Sequence, residues 1–222
     1  SNLVALEKLA CLTNGLHSMR YLQKNIMNST NDKKPYCTIF LICTILIVYI
    51  LDSFIFQINN ETIFTVSNLI YGDSCGLLTK YGQLVYYKDF SFQIWRLITV
   101  LFLHSGVVHL VVNMIPLFII GTTLELKIGS KKFLSIFFLS GIISSCVTIF
   151  LINGAVGASG AIYGLAGFYL YLIFTKQSSL NNIIKKIGFI IIVAYLILPN
   201  LSALTSIPTH LAGLCFGVLG AI

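Results

Sequence analysis

Gly157-Ala158-Ser159-Gly160-Ala161-Ile162-Tyr163-Gly164-Leu165-Ala166-Gly167 is the stretch on which the fold of this chain turns. It is apolar throughout, with one serine at its head. Gly160, Gly164 and Gly167 fall at i, i+4 and i+7. Small residues at that spacing form a smooth helix face that lets backbones approach closely in lipid. A second ladder, Gly213, Gly217 and Gly220, begins three residues after His210. Closing one face on the other brings Ser159 and His210 together. Polar groups in hydrocarbon are costly, so an ionisable residue there reads as function.

The composition agrees with a bilayer. The chain has 222 residues, 57% hydrophobic and only 9% charged, with a mean hydropathy of +0.91. A soluble domain carries roughly 25% charge. The expected fold class is therefore all-α, a polytopic membrane protein. Six apolar runs follow one another: 36–56, 104–124, 133–152, 158–175, 187–198 with a start a few residues earlier, and 208–222. A span needs about 20 apolar residues. The first four runs meet that length, and the last is still apolar where the sequence stops. Residues 1–35 are expected as a cytosolic tail, either loose or a short amphipathic helix on the bilayer. Residues 36–222 are expected as one six-helix domain. Residues 57–94 form a long connection with several aromatics, of the kind that carries structure or function of its own.

Charge sets the orientation. With the N-terminus in the cytosol, eleven Lys and Arg lie in cytosolic segments, and only Lys80, Lys88 and Arg96 lie opposite. That bias follows the positive-inside rule. The net charge of +7 thus reads as orientation. The lysines are scattered and form no basic stripe, so no nucleic-acid partner is expected. The six cysteines form no CxxC, and no His/Cys cluster has zinc spacing. HExxH is also absent. No metal and no cofactor is expected.

The topology sets the polar residues at one level. His109, Asn113, Ser159 and His210 all fall near the non-cytosolic ends of the second, fourth and sixth runs. A serine hydroxyl is a weak nucleophile until a base takes its proton, and a neutral His210 can do so. Of the seven carboxylates only Asp52 lies within a run, and no motif ties it to His210. The reading is a Ser–His dyad. Acyl transfer also needs donors for the oxyanion. His109 and Asn113, at i and i+4 on one helix face, can supply them together with the Ser159 N–H. The plainer alternative is that His109 and Asn113 bond neighbouring helices.

Taken in order, Trp95-Arg96, His104-Ser105-Gly106-Val107-Val108-His109-Leu110-Val111-Val112-Asn113, Glu125-x-x-x-Gly129, Gly157-Ala158-Ser159-Gly160 and His210-x-x-Gly213-x-x-x-Gly217 resemble the rhomboid intramembrane serine proteases. The resemblance covers about residues 36–222. It implies six helices around a water-filled cavity open to the non-cytosolic side. It implies Ser159 as nucleophile, His210 as base, and His109 and Asn113 as the oxyanion hole. It also implies Tyr163 packed on the catalytic histidine, with Gly157, Gly160, His104, Trp95 and Arg96 in support. Glu125 and Gly129 would organise the cytosolic end of the second span. The fifth span and residues 199–207 would form a lateral gate and its cap. Substrates would be single-span membrane proteins, cut near the outer end of their helices within the lipid bilayer. The second-span motif is closer to secretory-pathway members than to mitochondrial ones. Twelve Lys against two Arg, with abundant Ile and Asn, suggest an AT-rich genome. An apicomplexan member acting on surface adhesins fits that bias. The alternative is a catalytically inactive rhomboid-like membrane chaperone or trafficking factor, although such proteins usually lack the serine or the histidine. A transporter would carry charge in its spans, and an aspartyl protease would need a second intramembrane Asp.

Overall fold

The computed structural model describes residues 34–60, 80, 82–84, 93–151, 155–175, 182–202 and 206–222. The tail expectation for residues 1–35, except its last two residues, together with Cys11, Cys75 and most of the 57–94 connection, lies outside them. The described residues form α1 (Tyr36–Asn60), a one-turn α2 (Arg96–Thr99) running into a 3₁₀ turn (Val100–Phe102), α3 (Val107–Ile128), α4 (Ser130–Leu151), α5 (Ser159–Phe174), α6 (Asn182–Ser202) and α7 (Ile207–Leu219). The only extended pairing among them is one antiparallel bridge between Leu84 and Ala155.

Among the described residues, three helices are long and apolar enough to cross a membrane: 36–53 of α1, α3 and α4. Shorter apolar helices are α5, α7 and the segment Gly188–Ile197 of α6. The apolar run read at 158–175 yields a helix of 16 residues, somewhat below the roughly 17–25 of an ordinary span. It starts late because Gly157 has φ +118°, a conformation closed to residues with a Cβ. The run read from His104 becomes helical only at Val107, because Gly106 is extended at φ −173°. His104 therefore lies in the link before α3 rather than on it. Helix α1 in turn continues four residues past Phe56, to Asn60.

Helices α4, α5 and α7 form the packed centre. Helix α5 is buried nearly all round, from Gly160 to Tyr169. The two glycine ladders meet as their spacing requires. A Cβ on Gly213 would overlap the Gly160 carbonyl, one on Gly217 the Gly164 carbonyl, and one on Gly167 the Leu214 carbonyl. On α4, Ser140 and Ser144 fill the space left by Gly164 and Gly160. Outward faces stay apolar, as on α1 at Phe40, Ile47 and Ile50, which is the arrangement of a protein solvated by lipid.

Helix α1 is held by a buried carboxylate. Glu125, 2% exposed, accepts from the Cys37 N–H at 2.9 Å, from the Thr38 N–H at 2.7 Å and from the Thr38 hydroxyl at 2.8 Å. The Ser130 hydroxyl donates at 2.7 Å to Oε1, the oxygen that also accepts from Cys37. The free N–H groups and dipole at a helix N-terminus favour an anion. This one side chain joins the start of α1 to the end of α3 and the start of α4, so α1 and α3 run antiparallel.

Candidate active site

Ser159 is the first residue of α5, and no side chain caps that helix start. The backbone N–H groups of a helix's first turn have no intrahelical partner, so the amides here remain available as donors. The chain enters the site under restraint. Leu84 and Ala155 exchange backbone hydrogen bonds at 3.2 and 3.0 Å, and the Gly157 N–H donates to the Val100 carbonyl at 3.0 Å. With Gly157 folded back at positive φ, a Cβ there would sit 2.8 Å from the His109 ring. Glycine is required both for the turn and for this approach.

His210 lies in the first turn of α7, 5% exposed. Its Nε2 is 3.0 Å from Ser159 Oγ. With Nε2 unprotonated, the serine hydroxyl donates to it. The Tyr163 ring stacks on the imidazole, centroids 4.2 Å apart and planes 6° from parallel. Helix α4 holds the approach to His210. The Ser144 hydroxyl donates to the Thr209 carbonyl at 3.0 Å, and Thr148 and Thr209 hydroxyls pair at 2.9 Å. Of the described carboxylates, Glu125 is committed to α1, and Asp52 lines a cavity beside α1. Neither reaches His210.

A polar chain then crosses the bundle. The Tyr163 hydroxyl donates to the Tyr195 carbonyl at 2.7 Å. The Tyr195 hydroxyl donates to Asn113 Oδ1 at 2.6 Å. Asn113 Nδ2 donates to the His109 carbonyl at 2.9 Å. With Oδ1 and one N–H so fixed, the second Nδ2 proton is the group left to donate. His109 Nδ1 pairs with Ser105 Oγ at 3.1 Å, while its Cε1–Nε2 edge faces Gly157. Helices α3, α5, α6 and α7 thus each contribute to one cluster.

Ser159, His210, Tyr163, Gly157, His109 and Asn113 are brought together. Gly160 lies beneath them at the α4–α7 contact. His104 is 1% exposed and packs against His109, ring centroids 5.2 Å apart. Among the described residues its two ring nitrogens have no hydrogen-bond partner. Trp95 and Arg96 are placed otherwise. Trp95 is exposed. Arg96 is buried and donates to the Gln83 carbonyl at 2.7 Å and to the Gln93 side chain, tying down the connection before α2. Sequence reading missed Tyr195, Ser105, Ser144 and Thr209. Each is a hydroxyl within or beside an apolar run, and that was the available signal. No group of three or more metal-binding side chains occurs among the described residues.

Comparison with known proteins places this arrangement. The family described as "Rhomboid domain" matches residues 91–222. YdcA of Bacillus subtilis is 34% identical over 128 residues, 56% of this chain and 64% of that protein. Rhomboid protease GluP of Bacillus subtilis is 30% identical over 197 residues, 86% of this chain and 35% of that protein. RHOMBOID-like protein 6, mitochondrial, of Arabidopsis thaliana is 32% identical over 160 residues, 68% of this chain and 52% of that protein. The chain thus spans less than two thirds of each relative's own length. The match covers more than half of the chain and includes every helix of the Ser159–His210 cluster, and with it the all-helical chain is a polytopic membrane protein that belongs to the rhomboid family.

Proposed function

We propose that this chain is an intramembrane serine endopeptidase in which Ser159 and His210 act as a dyad. The observation that carries the reading is the 3.0 Å separation of His210 Nε2 and Ser159 Oγ inside an apolar bundle. Family membership and the name of the relative Rhomboid protease GluP support the same reaction class. Ser159 Oγ attacks the scissile carbonyl carbon as His210 Nε2 takes the hydroxyl proton. The C=O π electrons move to oxygen, where the Ser159 N–H, the remaining Asn113 Nδ2 proton and His109 stabilise the charge. The protonated His210 gives its proton to the departing amine, leaving an acyl ester on Ser159. A water, deprotonated by His210, then releases the carboxylate product and restores the serine. Tyr163 fixes the imidazole plane throughout.

Substrates on this reading are single-span membrane proteins, reached from the bilayer and cut near the non-cytosolic end of their helices. The charge bias supports a cytosolic N-terminus. A secretory-pathway location rests on the second-span motif, while one relative is mitochondrial. Surface adhesins as substrates rest on the Lys-over-Arg bias. An inactive rhomboid-like chaperone is disfavoured, because both dyad residues are present and within hydrogen-bonding distance.

The test is cleavage of a transmembrane reporter in vesicles, with the cut mapped. Ser159→Ala and His210→Ala should each abolish it while insertion and folding persist. The double variant should lose no more than either single one, because the two act as a unit. Cleavage retained in Ser159→Ala would place the chemistry elsewhere.

A further inference from the structure

Between α1 and the 99–103 segment lies a cavity of about 380 Å³, within the roughly 300–1,000 Å³ typical of small-ligand sites. Val48, Leu51 and Asp52 of α1 form one wall, and Thr99, Phe102 and Leu103 form the other. Leu51 is exposed, so the cavity opens on the apolar outer face that also carries Ile47 and Ile50. Asp52 is only 9% exposed, and no hydrogen bond or ion pair satisfies it among the described residues. The nearest hydroxyls are committed: Thr99 donates to the Gly82 carbonyl at 3.1 Å and Thr44 to the Phe40 carbonyl at 2.8 Å. A largely buried carboxylate without a protein partner, facing an open cavity, is a ready acceptor for a cationic donor.

Depth narrows the choice of donor. Glu125 holds the start of α1 against the end of α3, so the far end of α1 lies level with the start of α3. Asp52 is sixteen residues along, about 24 Å at 1.5 Å per residue, in a hydrocarbon core about 30 Å thick. That leaves it about 6 Å short of the core's edge, within reach of a lipid head group. We propose that this cavity holds a bilayer phospholipid whose head group carries a primary ammonium. The ammonium donates to the Asp52 carboxylate, and an acyl segment lies along Val48, Leu51 and Phe102. A trimethylammonium head has the charge but no N–H to donate, and an anionic head is repelled.

The cavity wall is also connected to the proposed dyad. Its second wall is the 99–103 segment, in which the Val100 carbonyl accepts from the Gly157 N–H, two residues before Ser159. Leu103 leads directly into His104. A lipid wedged between α1 and this segment steadies the turn that sets Ser159. That consequence rests on the proposed protease activity, whereas binding does not.

The experiment measures binding first. The full chain is placed in nanodiscs of equal phosphatidylethanolamine, phosphatidylcholine and phosphatidylglycerol, and retained lipid is counted by native mass spectrometry. The expected result is preferential retention of phosphatidylethanolamine. Asp52→Asn should lower that retention about tenfold or more, the worth of a charge-assisted hydrogen bond, and Val48→Trp, which fills the cavity, should abolish it. Thermal unfolding checks that both variants are folded. Equal retention of the three lipids by the wild type, or retention unchanged by Asp52→Asn, overturns the proposal. Reporter cleavage in vesicles with and without phosphatidylethanolamine is the second readout and should favour the former for the wild type alone. Specific retention without cleavage in any lipid would sink the protease reading and leave the lipid site standing.

Discussion

At the scale of single residues, the site depends on which hydrogen bonds are already taken. Asn113 cannot rotate freely, because Tyr195 donates to its oxygen at 2.6 Å and the His109 carbonyl accepts one of its protons at 2.9 Å. On the proposed reading Tyr195 is thus a positioning residue, and Asn113 is the donor to the oxyanion. Tyr195→Phe removes one hydrogen bond worth about 0.5–1.5 kcal/mol and should lower kcat roughly two- to tenfold, with KM unchanged. Asn113→Ala removes a transition-state donor and should cost about 10²-fold or more in kcat. Reporter kinetics on both variants decide the matter. Equal losses would mean that Tyr195 itself meets the reacting atoms. The approach of Ser159 to His210 was legible in the sequence because the glycine ladders beside them predict a close helix contact. Tyr195 was not, since a tyrosine among Ile, Leu and Val reads as packing until its hydroxyl is seen to have a partner.

At the scale of helices, glycine spacing carried the most information. A ladder at i, i+4 and i+7 predicts a close helix contact, and α5 and α7 meet along those residues. Helix ends were harder to read. Apolarity marks lipid exposure and burial alike, whereas ends are set by local geometry such as the positive φ of Gly157 and the extended Gly106. The role of Glu125 was legible only in outline, because its hydrogen bonds go to Cys37 and Thr38, almost ninety positions away. The ladder itself makes a sharp prediction. A Cβ on Gly217 meets the Gly164 backbone, which cannot swing aside, whereas one on Gly220 meets nothing closer than 3.4 Å. Gly217→Ala should therefore destabilise by about 1–3 kcal/mol, the usual cost of overpacking, and should reduce cleavage by parting Ser159 from His210. Gly220→Ala should stay within about 0.5 kcal/mol of the parent. Thermal unfolding in detergent gives both values. Comparable losses at the two positions would show that the ladder is not the contact holding these helices.

At the scale of the whole molecule, Ser159 and His210 sit inside a bundle whose outward faces are apolar, so on the proposed reading a substrate helix arrives through lipid with its backbone already hydrogen-bonded. A peptide carbonyl in an intact helix accepts from the N–H four residues on, and Ser159 cannot attack it until that turn opens. Opening is cheaper where the substrate carries poor helix formers. Gly costs about 1 kcal/mol per residue in a helix relative to Ala, and Pro about 3. The dyad is also recessed among α3, α5 and α7, which favours a small residue at the cut. The proposed protease should therefore prefer single-span substrates with Gly, Pro or small residues in the half of the span nearest the dyad. Replacing those residues one at a time by Leu should lower kcat/KM stepwise, by about fivefold for each kcal/mol of helix stability regained. The same replacements in the opposite half of the span should do little. The measurement is reporter cleavage in vesicles across both series. Rates that rise, or that fall equally for both halves, would show that local unwinding beside Ser159 is not what limits the reaction.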